Sequence, residues 1–291
     1  MPDSLPRYCV LIPSRGRAEL LHRGLRRMPW LNQATTYIGY EVREYRAYAP
    51  VMQEFTNCQW TAYDNPTGSV AVAREYLRQQ AVTHNTYDWY VVTDDNAVHK
   101  DSSVLTNLVR AAHEWPHQPV VMAGMHNTAS HFDRGKIGDQ TTIHGLTTYP
   151  TVAMILQTYP HTLYSAYHYP EDAYGLDDRH FFLWCIAHGV REFRVCMNAP
   201  FTKSRYQKGG QGSIEDRMEK TGRAIARLAL DFPRLVGATG TLRIPWQFLL
   251  SMQDGTVTAD RLVGGSMRKE HTLLKPKATV RRRTVKIGGA S

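Results

Sequence analysis

The chain has 291 residues, 42% hydrophobic and 21% charged, with a formal net charge of +9 and a pI near 9.4. No stretch approaches the roughly 20 apolar residues of a membrane-spanning helix, so the composition is that of a globular protein with ample core and a polyanionic partner, nucleic acid first and an acidic membrane or glycan second. Cys9, Cys58, Cys185 and Cys196 show no CxxC spacing and each lies in or beside an apolar stretch, which points to buried thiols in a reducing cytoplasm instead of a disulfide or zinc framework.

The N-terminal "YCVLIPS" is a continuous apolar run stopped by Pro13, the pattern of a strand buried on both faces and not of a signal peptide. "PSRGR" follows, with Ser14, Arg15 and Arg17 in one turn. Guanidiniums suit bidentate phosphate contact, though a solvated turn accounts for them equally well. "AELLHRGLRRM" repeats leucine at helical spacing, "ATTYIGY" reads as a second strand, and "CQWTAYDNPTG" as a short third strand ending in a turn. "SVAVAREYLRQQAV" has helical periodicity, with Ser69 as a candidate N-cap. Gly68 and Ser69 open it and Arg74 lies one to two turns in, so this helix start is a candidate anion site.

"DWYVVTDDN" drives a fourth strand into Asp94, Asp95 and Asn96. Paired acids at the end of a buried strand either begin a solvated turn or hold a divalent cation, which takes hard oxygen ligands. "SSVLTNLVRAAHEW" is a helix, and "QPVVMAGM", "PTVAMIL" and "EFRVCMNAP" are further strands. "GLDDRHFFLWCIAHG" is a helix with Asp177 and Asp178 in its first turn. The two acids either favour the helix dipole or include a general base aimed at a hydroxyl, a role for which Glu171 and Asp172 just upstream compete. Thirteen histidines are present, with no HExxH spacing.

Strands alternating with helices predict an α/β fold with a mostly parallel central sheet flanked by helices. In such sheets ligands bind beyond the carboxyl ends of the strands, where "PSRGR" and "TDDN" lie. The organisation expected is a first domain over 1–212 and a basic helical extension over 213–291. "PFTKSRYQKGGQG" before the boundary is a basic, glycine-rich loop. After it, Arg217, Lys220, Arg223 and Arg227 recur at helical steps as a basic stripe. From Arg261 onward nine Lys or Arg residues face the single Glu270, and Arg281, Arg282, Arg283 and Lys286 are among them. Trp246 and Phe248 are core residues or base-stacking aromatics.

Together "PSRGR", "AVAR", "VTDDN" and the later "LDD" helix resemble the GT-A-type (Rossmann-like) glycosyltransferases of the large inverting family-2 kind, over about Tyr8 to Gly212. The resemblance implies a metal-dependent transfer of a sugar from a nucleotide-sugar, with UDP the usual nucleotide. It implies Mn²⁺ or Mg²⁺ on Asp95 and the ribose side of the donor on Asp94. Pro13, Ser14, Arg15, Arg17, Gly68 and Arg74 would hold base and diphosphate, and Asp178, or failing it Asp177, would be the catalytic base. Lys203, Arg205 and Lys208, beside Gly209 and Gly210, would close over the diphosphate as a flap. Asn96 stands where many members carry a third acid.

The basic C-terminal part and the "PFTKSRYQKGGQG" region resemble the phage glycosyltransferases associated with TET/JBP-type hydroxylases. Those enzymes decorate 5-hydroxymethylpyrimidines in DNA. The partner implied is hydroxymethylated DNA, held by Arg217, Lys220, Arg223, Arg227, Arg281, Arg282 and Arg283. A non-DNA glycan acceptor and a nucleotidyltransferase of related architecture are the competing readings. A third is a non-catalytic DNA-binding protein whose acids only cap and turn.

Overall fold

The computed structural model describes residues 7–84, 86–99, 154–188 and 214–233 continuously, with short pieces at 119–123, 142–143, 194–197, 201–203, 241–242 and 271–272 and the single positions 112, 190 and 236. Eight strands form one sheet. They are β1 (Tyr8–Pro13), β2 (Thr35–Glu41), β3 (Gln59–Tyr63), β4 (Trp89–Thr93), β6 (Val120–Ala123), β7 (Thr142–Ile143), β8 (Met154–Pro160) and β9 (Arg194–Met197), in the spatial order β3-β2-β1-β4-β8-β6-β9-β7. Strands β3, β2, β1 and β4 run parallel, as do β6 and β9. Strand β8 is antiparallel to both its neighbours and β7 is antiparallel to β9. The mostly parallel sheet agrees with the sequence pattern. The reversal at β8 is a property of connections that hydropathy does not encode.

The centre of the sheet shows why "YCVLIP" and "WYVVT" are unbroken apolar runs. Alternate residues of a strand face opposite sides. On one face Val10, Ile12, Ile38 and Val91 pack with Leu21 and Leu25 of α1 (Ala18–Leu25) and with Tyr48 and Val51 of α2 (Tyr45–Glu54). On the other face Cys9, Leu11, Tyr37, Tyr90 and Val92 pack with Ala71, Leu77 and Ala81 of α3 (Val70–Thr83). Helix α3 comes close enough to β2 that a Cβ at Gly39 would lie 3.1 Å from Leu77 Cγ. Ser69 caps α3 by accepting a hydrogen bond from the Ala71 amide, as its sequence position suggests. Cys9, Cys58 and Cys185 are buried free thiols. Among the described residues no helix is long and apolar enough to cross a membrane.

Beyond β8 the chain forms α4 (His161–Ala166), a 3₁₀ segment over Glu171–Leu176, and α5 (Asp177–Ala187). Their aromatics interlock: the rings of Tyr159 and Phe181 are 4.3 Å apart and those of Tyr167 and Phe181 4.4 Å. Such contacts add roughly 0.5–1.5 kcal/mol each to area burial. Helix α6 (Ile214–Asp231) follows the sequence-based boundary at 212, yet Ala224, Leu228, Phe232 and Val236 join this same core cluster. The helix is therefore built into the core of the first unit and does not stand off from it. The expected helix over "SSVLTNLVRAAHEW" lies outside the described residues apart from Ala112. The loop after Lys203, Trp246, Phe248 and the tail bearing Arg281, Arg282, Arg283 and Lys286 lie outside them as well.

His180 ties α6 to α5. Its Nδ1 is 2.7 Å from the Tyr167 hydroxyl and its Nε2 is 2.7 Å from Asp231 Oδ2, while Asp231 also accepts from Arg227 Nε at 2.6 Å. Burial lowers the His180 pKa below its ordinary value, with Asp231 opposing only in part. The unfolded chain then takes up a proton near pH 6.5 that the folded chain resists. Stability contributed here is present above that pH and is lost as pH falls toward the depressed folded value. Thermal unfolding between pH 5 and 7.5 should show Tm dropping on acidification. His180→Gln, which has no such proton, should flatten that dependence. Truncation in His180→Ala should cost about 1–3 kcal/mol by stranding buried partners.

Candidate active site

The parallel strands deliver their chemistry to one rim. After β1, Ser14 donates a backbone hydrogen bond to Gly39 O at 2.9 Å, so the turn is stitched to the neighbouring strand. Gly16 then takes a positive φ of 62°, a conformation glycine adopts without steric cost, and its amide donates to Glu44 at 2.8 Å. The Ser14 carbonyl accepts from the Tyr63 hydroxyl at 3.1 Å, and Ser14 Oγ lies 2.7 Å from the Tyr48 hydroxyl. Gly39, Glu44, Tyr48 and Tyr63, all outside the "PSRGR" turn, thus fix its shape.

Asp95 is the inner member of the acid pair. It is 4% exposed, with Oδ2 accepting from Ser14 Oγ at 2.9 Å and Oδ1 from Arg17 Nη1 at 3.0 Å. Burial pushes its pKa up to about 6, against the pull of Arg17 and Ser14. Asp94 is the outer member, with its side chain 31% exposed. Buried Arg74 on α3 reaches Asp94 Oδ1 with Nη2 at 3.1 Å and Asp177 Oδ2 with Nη1 at 2.5 Å. The second contact is close but lacks hydrogen-bond alignment, so it is an ion pair held by charge. Burial works against the charge on Arg74, and Asp177 and Asp94 outweigh it. Asp177 is 3% exposed, and burial raises its pKa while Arg74 opposes and Asp178 reinforces the rise. Asp178 is half-buried and accepts from the Arg179 amide at 2.8 Å.

Among the described residues four carboxylates, Asp94, Asp95, Asp177 and Asp178, therefore gather around the buried Arg74 and the partly buried Arg17. Arg15 pairs at 2.5 Å with Glu41, a carboxylate it shares with Arg43, while its Nη1 donates to Gly68 O at 3.0 Å. Gly68 has φ 66°, and a Cβ there would collide with the Arg15 guanidinium. Among the described residues no three His, Cys, Asp or Glu side chains are grouped so as to hold a metal by themselves. The rim offers instead one partly exposed carboxylate, Asp94, in front of the buried Asp95. That is the form of site in which Mg²⁺ is held by one or two carboxylates together with substrate phosphates.

The sequence-selected residues divide clearly. Ser14, Arg15, Arg17, Gly68, Arg74, Asp94, Asp95, Asp177 and Asp178 converge on this rim. Pro13 ends β1 opposite Gly39. Lys203 is brought beside it by backbone pairing, since β10 (Phe201–Lys203) runs antiparallel to β5 (Ala97–His99) with Lys203 opposite Ala97. Lys208 and Arg205 lie outside the described residues. Of the stripe on α6, Arg223 pairs with Glu219 at 2.6 Å and Arg227 with Asp231 at 2.6 Å, while Lys220 lies beside Gly68 and Ser69 with its Nζ 5.9 Å from the Tyr174 ring centroid. Nothing is described for the side chain of Arg217. Sequence reasoning passed over Glu41, Tyr48 and Tyr63, which hold Arg15 and the Ser14 turn. Glu41 carried a signal, an acid at the carboxyl end of the buried strand β2, like Asp94 at the end of β4.

No protein-family model matches the chain, and no curated protein matches it. Solved structures do. The mannosyltransferase PcManGT from Pyrobaculum calidifontis, in complex with GDP-Man and Mn²⁺, aligns with a TM-score of 0.53 and 16% identity, over 91% of this chain and 78% of that one. Glucosyl-3-phosphoglycerate synthase from Mycobacterium tuberculosis aligns with a TM-score of 0.52 at 10% identity, over 81% and 85%. TarS residues 1–349 of S. aureus with UDP-GlcNAc gives 0.51 at 11%, over 77% and 66%. The fold is that of the GT-A glycosyltransferases.

If Arg74 is what stabilises the acids, Arg74→Ala should cost about 3–5 kcal/mol in urea unfolding, the cost of leaving buried charges uncompensated. A cost below about 1 kcal/mol would show that the acids do not depend on it.

Proposed function

We propose that the chain is a nucleotide-sugar-dependent glycosyltransferase. The observation that carries the reading is the gathering, among the described residues, of Asp94, Asp95, Asp177 and Asp178 around Arg74 and Arg17, beside the carboxyl ends of parallel strands where such folds bind ligands. A divalent cation and a nucleotide diphosphate together complete a rim of this kind. The neighbouring structures, which hold GDP-Man with Mn²⁺ and UDP-GlcNAc, support the same donor class by their contents.

In this reading Arg15, held between Glu41 and the Gly68 carbonyl, lies on the nucleotide side. Asp94, the more exposed acid, together with the donor's phosphates holds Mn²⁺ or Mg²⁺. Asp95 stands behind it and fixes Ser14 and Arg17, which departs from the assignment of the cation to Asp95 that the sequence resemblance implied. The cation, when bound, neutralises the diphosphate as a leaving group. Asp178, half-buried at the start of α5, takes the proton of the acceptor hydroxyl. The alcohol oxygen then bonds to the anomeric carbon as the carbon–oxygen bond to the diphosphate breaks, inverting the centre. Asp177 does not serve as the base, because Arg74 holds it inside the protein. Its role is to hold the start of α5 against α3.

The acceptor we propose is the hydroxymethyl group of a 5-hydroxymethylpyrimidine in DNA, cytosine or uracil. A primary alcohol suits a carboxylate base, and the net charge of +9 with a basic C-terminal sequence suits a polyanion.

The test is nucleoside mass spectrometry of hydroxymethylated DNA incubated with UDP- and GDP-sugars and Mn²⁺. A nucleoside heavier by one sugar residue is expected, with the rate lowered about 10²–10⁴-fold in Asp178→Asn. Transfer to no DNA, together with metal-dependent hydrolysis of one nucleotide-sugar, would remove the DNA acceptor and keep the transferase. Neither activity would overturn the reading. Asp94→Asn should raise the Mn²⁺ concentration for half-maximal rate at least tenfold, whereas Asp95→Asn should act mainly on Tm. The reverse pattern would put the cation on Asp95.

A further inference from the structure

Among the described residues one non-glycine residue takes a positive φ, and it stands at the approach to the acids of α5. Tyr174 has φ 40° and ψ −119°, a region that a Cβ disfavours and that glycine fills in the first central position of a type II′ turn. The glycine beside it, Gly175, does not take a positive φ. A conformation of this kind persists only where the surrounding structure holds it. Three residues further on comes Asp177, paired with Arg74, and then Asp178.

The hold on Tyr174 comes from α6. Lys220 Nζ lies 5.9 Å from the ring centroid, within range for a cation over an aromatic face. The Tyr174 hydroxyl first, and Glu219 after it, raise the pKa of Arg223 one turn further along the helix. The tyrosine is 8% exposed, and it lines both a niche with Gly68, Ser69 and Lys220 and a cleft of about 580 Å³ with Thr67, Asp172 and Arg223. The two ends of the same segment are tied to a different helix. Glu75 of α3 accepts from the Tyr169 amide at 3.0 Å, and Arg74 of α3 pairs with Asp177. Between those ties α6 grips the segment, at Tyr174 and through the 3.9 Å approach of Arg227 to Asp172. A rotation about φ or ψ of residue 174 swings the chain that follows, so the conformation held there decides where α5 begins.

We propose that Tyr174 is a positioning residue for Asp178: its side chain, held by Lys220 and Arg223 of α6, keeps the turn in the strained conformation that fixes the start of α5 and with it the place of the Asp178 carboxylate. The inference rests on the proposed function in taking Asp178 as the base that receives the acceptor's proton. It gives two members of the basic stripe a task inside the protein in place of contact with a polyanion.

The experiment uses the full chain with Tyr174→Phe, which keeps the ring and the strained backbone, and Tyr174→Gly, which removes the ring and relieves the strain. Transfer to hydroxymethylated DNA is measured in the parent and in Asp178→Asn, and UDP and GDP affinity with Mn²⁺ is measured in parallel. Tyr174→Gly should lower kcat roughly 10²-fold, the effect of a misplacement of about 1 Å. Nucleotide affinity should stay unchanged, and Tyr174→Phe should stay close to the parent. In Asp178→Asn the base is already gone, so the same glycine substitution should lower the remaining rate little, because groups acting as a unit are not additive. An equal loss in both backgrounds would overturn the inference, since a merely structural tyrosine acts on both alike. Crystal structures of the parent and the variants decide the matter without substrate. Asp178 should move by about 1 Å in Tyr174→Gly and stay in Tyr174→Phe; Asp178 in its parental place in both would overturn the inference, whatever the activity. If Tyr174→Gly does not fold, Lys220→Met/Arg223→Met removes the α6 contacts and is read in the same way. A raised KM and a reduced salt slope with kcat kept in that variant would assign the two cations to the DNA backbone and overturn the inference. If Asp178 moves as expected but the parent transfers no sugar, the transferase reading fails and the positioning stands.

Discussion

Taking a guanidinium out of water costs several kcal/mol unless charge and hydrogen bonds replace the solvent, and at Arg74 that requirement sets the layout of the rim. The side chain is 9% exposed and its replacement partners are Asp94 from the end of β4 and Asp177 from the start of α5. Asp177, 3% exposed, depends on the arginine for compensation of its charge, and the arginine depends on both acids. The end of β4 and the start of α5 are thereby locked to one another through α3. Geometry between a leaving group and an attacking hydroxyl has to be set to within fractions of an ångström. A buried ion pair that fails sharply when either partner moves is suited to hold it.

The layers around this tie follow from alternation along the strands. Each buried strand sends residues to both faces, so α1 and α2 cover one side and α3 with the aromatic cluster of Tyr159, Tyr164, Tyr167 and Phe181 covers the other. Helix α6 completes the second layer through Leu228 and Phe232, and His180 pins it by bridging Tyr167 and Asp231. The rim inherits rigidity from these layers: Tyr48 of α2 and Tyr63 of β3 reach the Ser14 turn from the scaffold. Backbone freedom enters at Gly16 and Gly68, where the chain takes a left-handed conformation beside Arg15 and Arg17.

Much of this was legible in the sequence because the relevant signals are local. Continuous apolar runs at Tyr8 and Trp89, the cap at Ser69 and the acids at the strand and helix ends are written in neighbouring residues, and all of them are where the sequence put them. What was not legible depends on partners distant in the chain. Helix α2 was missed because Pro50 interrupts its pattern, although the proline sits within an otherwise regular helix. Which of Asp94 and Asp95 is exposed is decided by Ser14 and Arg17, some 80 residues away. The arginines of α6 looked like an unopposed stripe because Glu219 and Asp231 lie on the same helix one turn away. The reversal of β8 has no residue-level signature.

The account turns on whether the rim takes a nucleotide diphosphate together with a divalent cation. Isothermal titration of UDP and GDP into the protein, with and without Mn²⁺ and repeated on Asp94→Asn, tests this without any assumption about the acceptor. The account predicts that one nucleotide binds at least tenfold more tightly with Mn²⁺ present and that Asp94→Asn removes most of that gain. Binding of neither nucleotide, or binding that ignores both Mn²⁺ and Asp94, would contradict it.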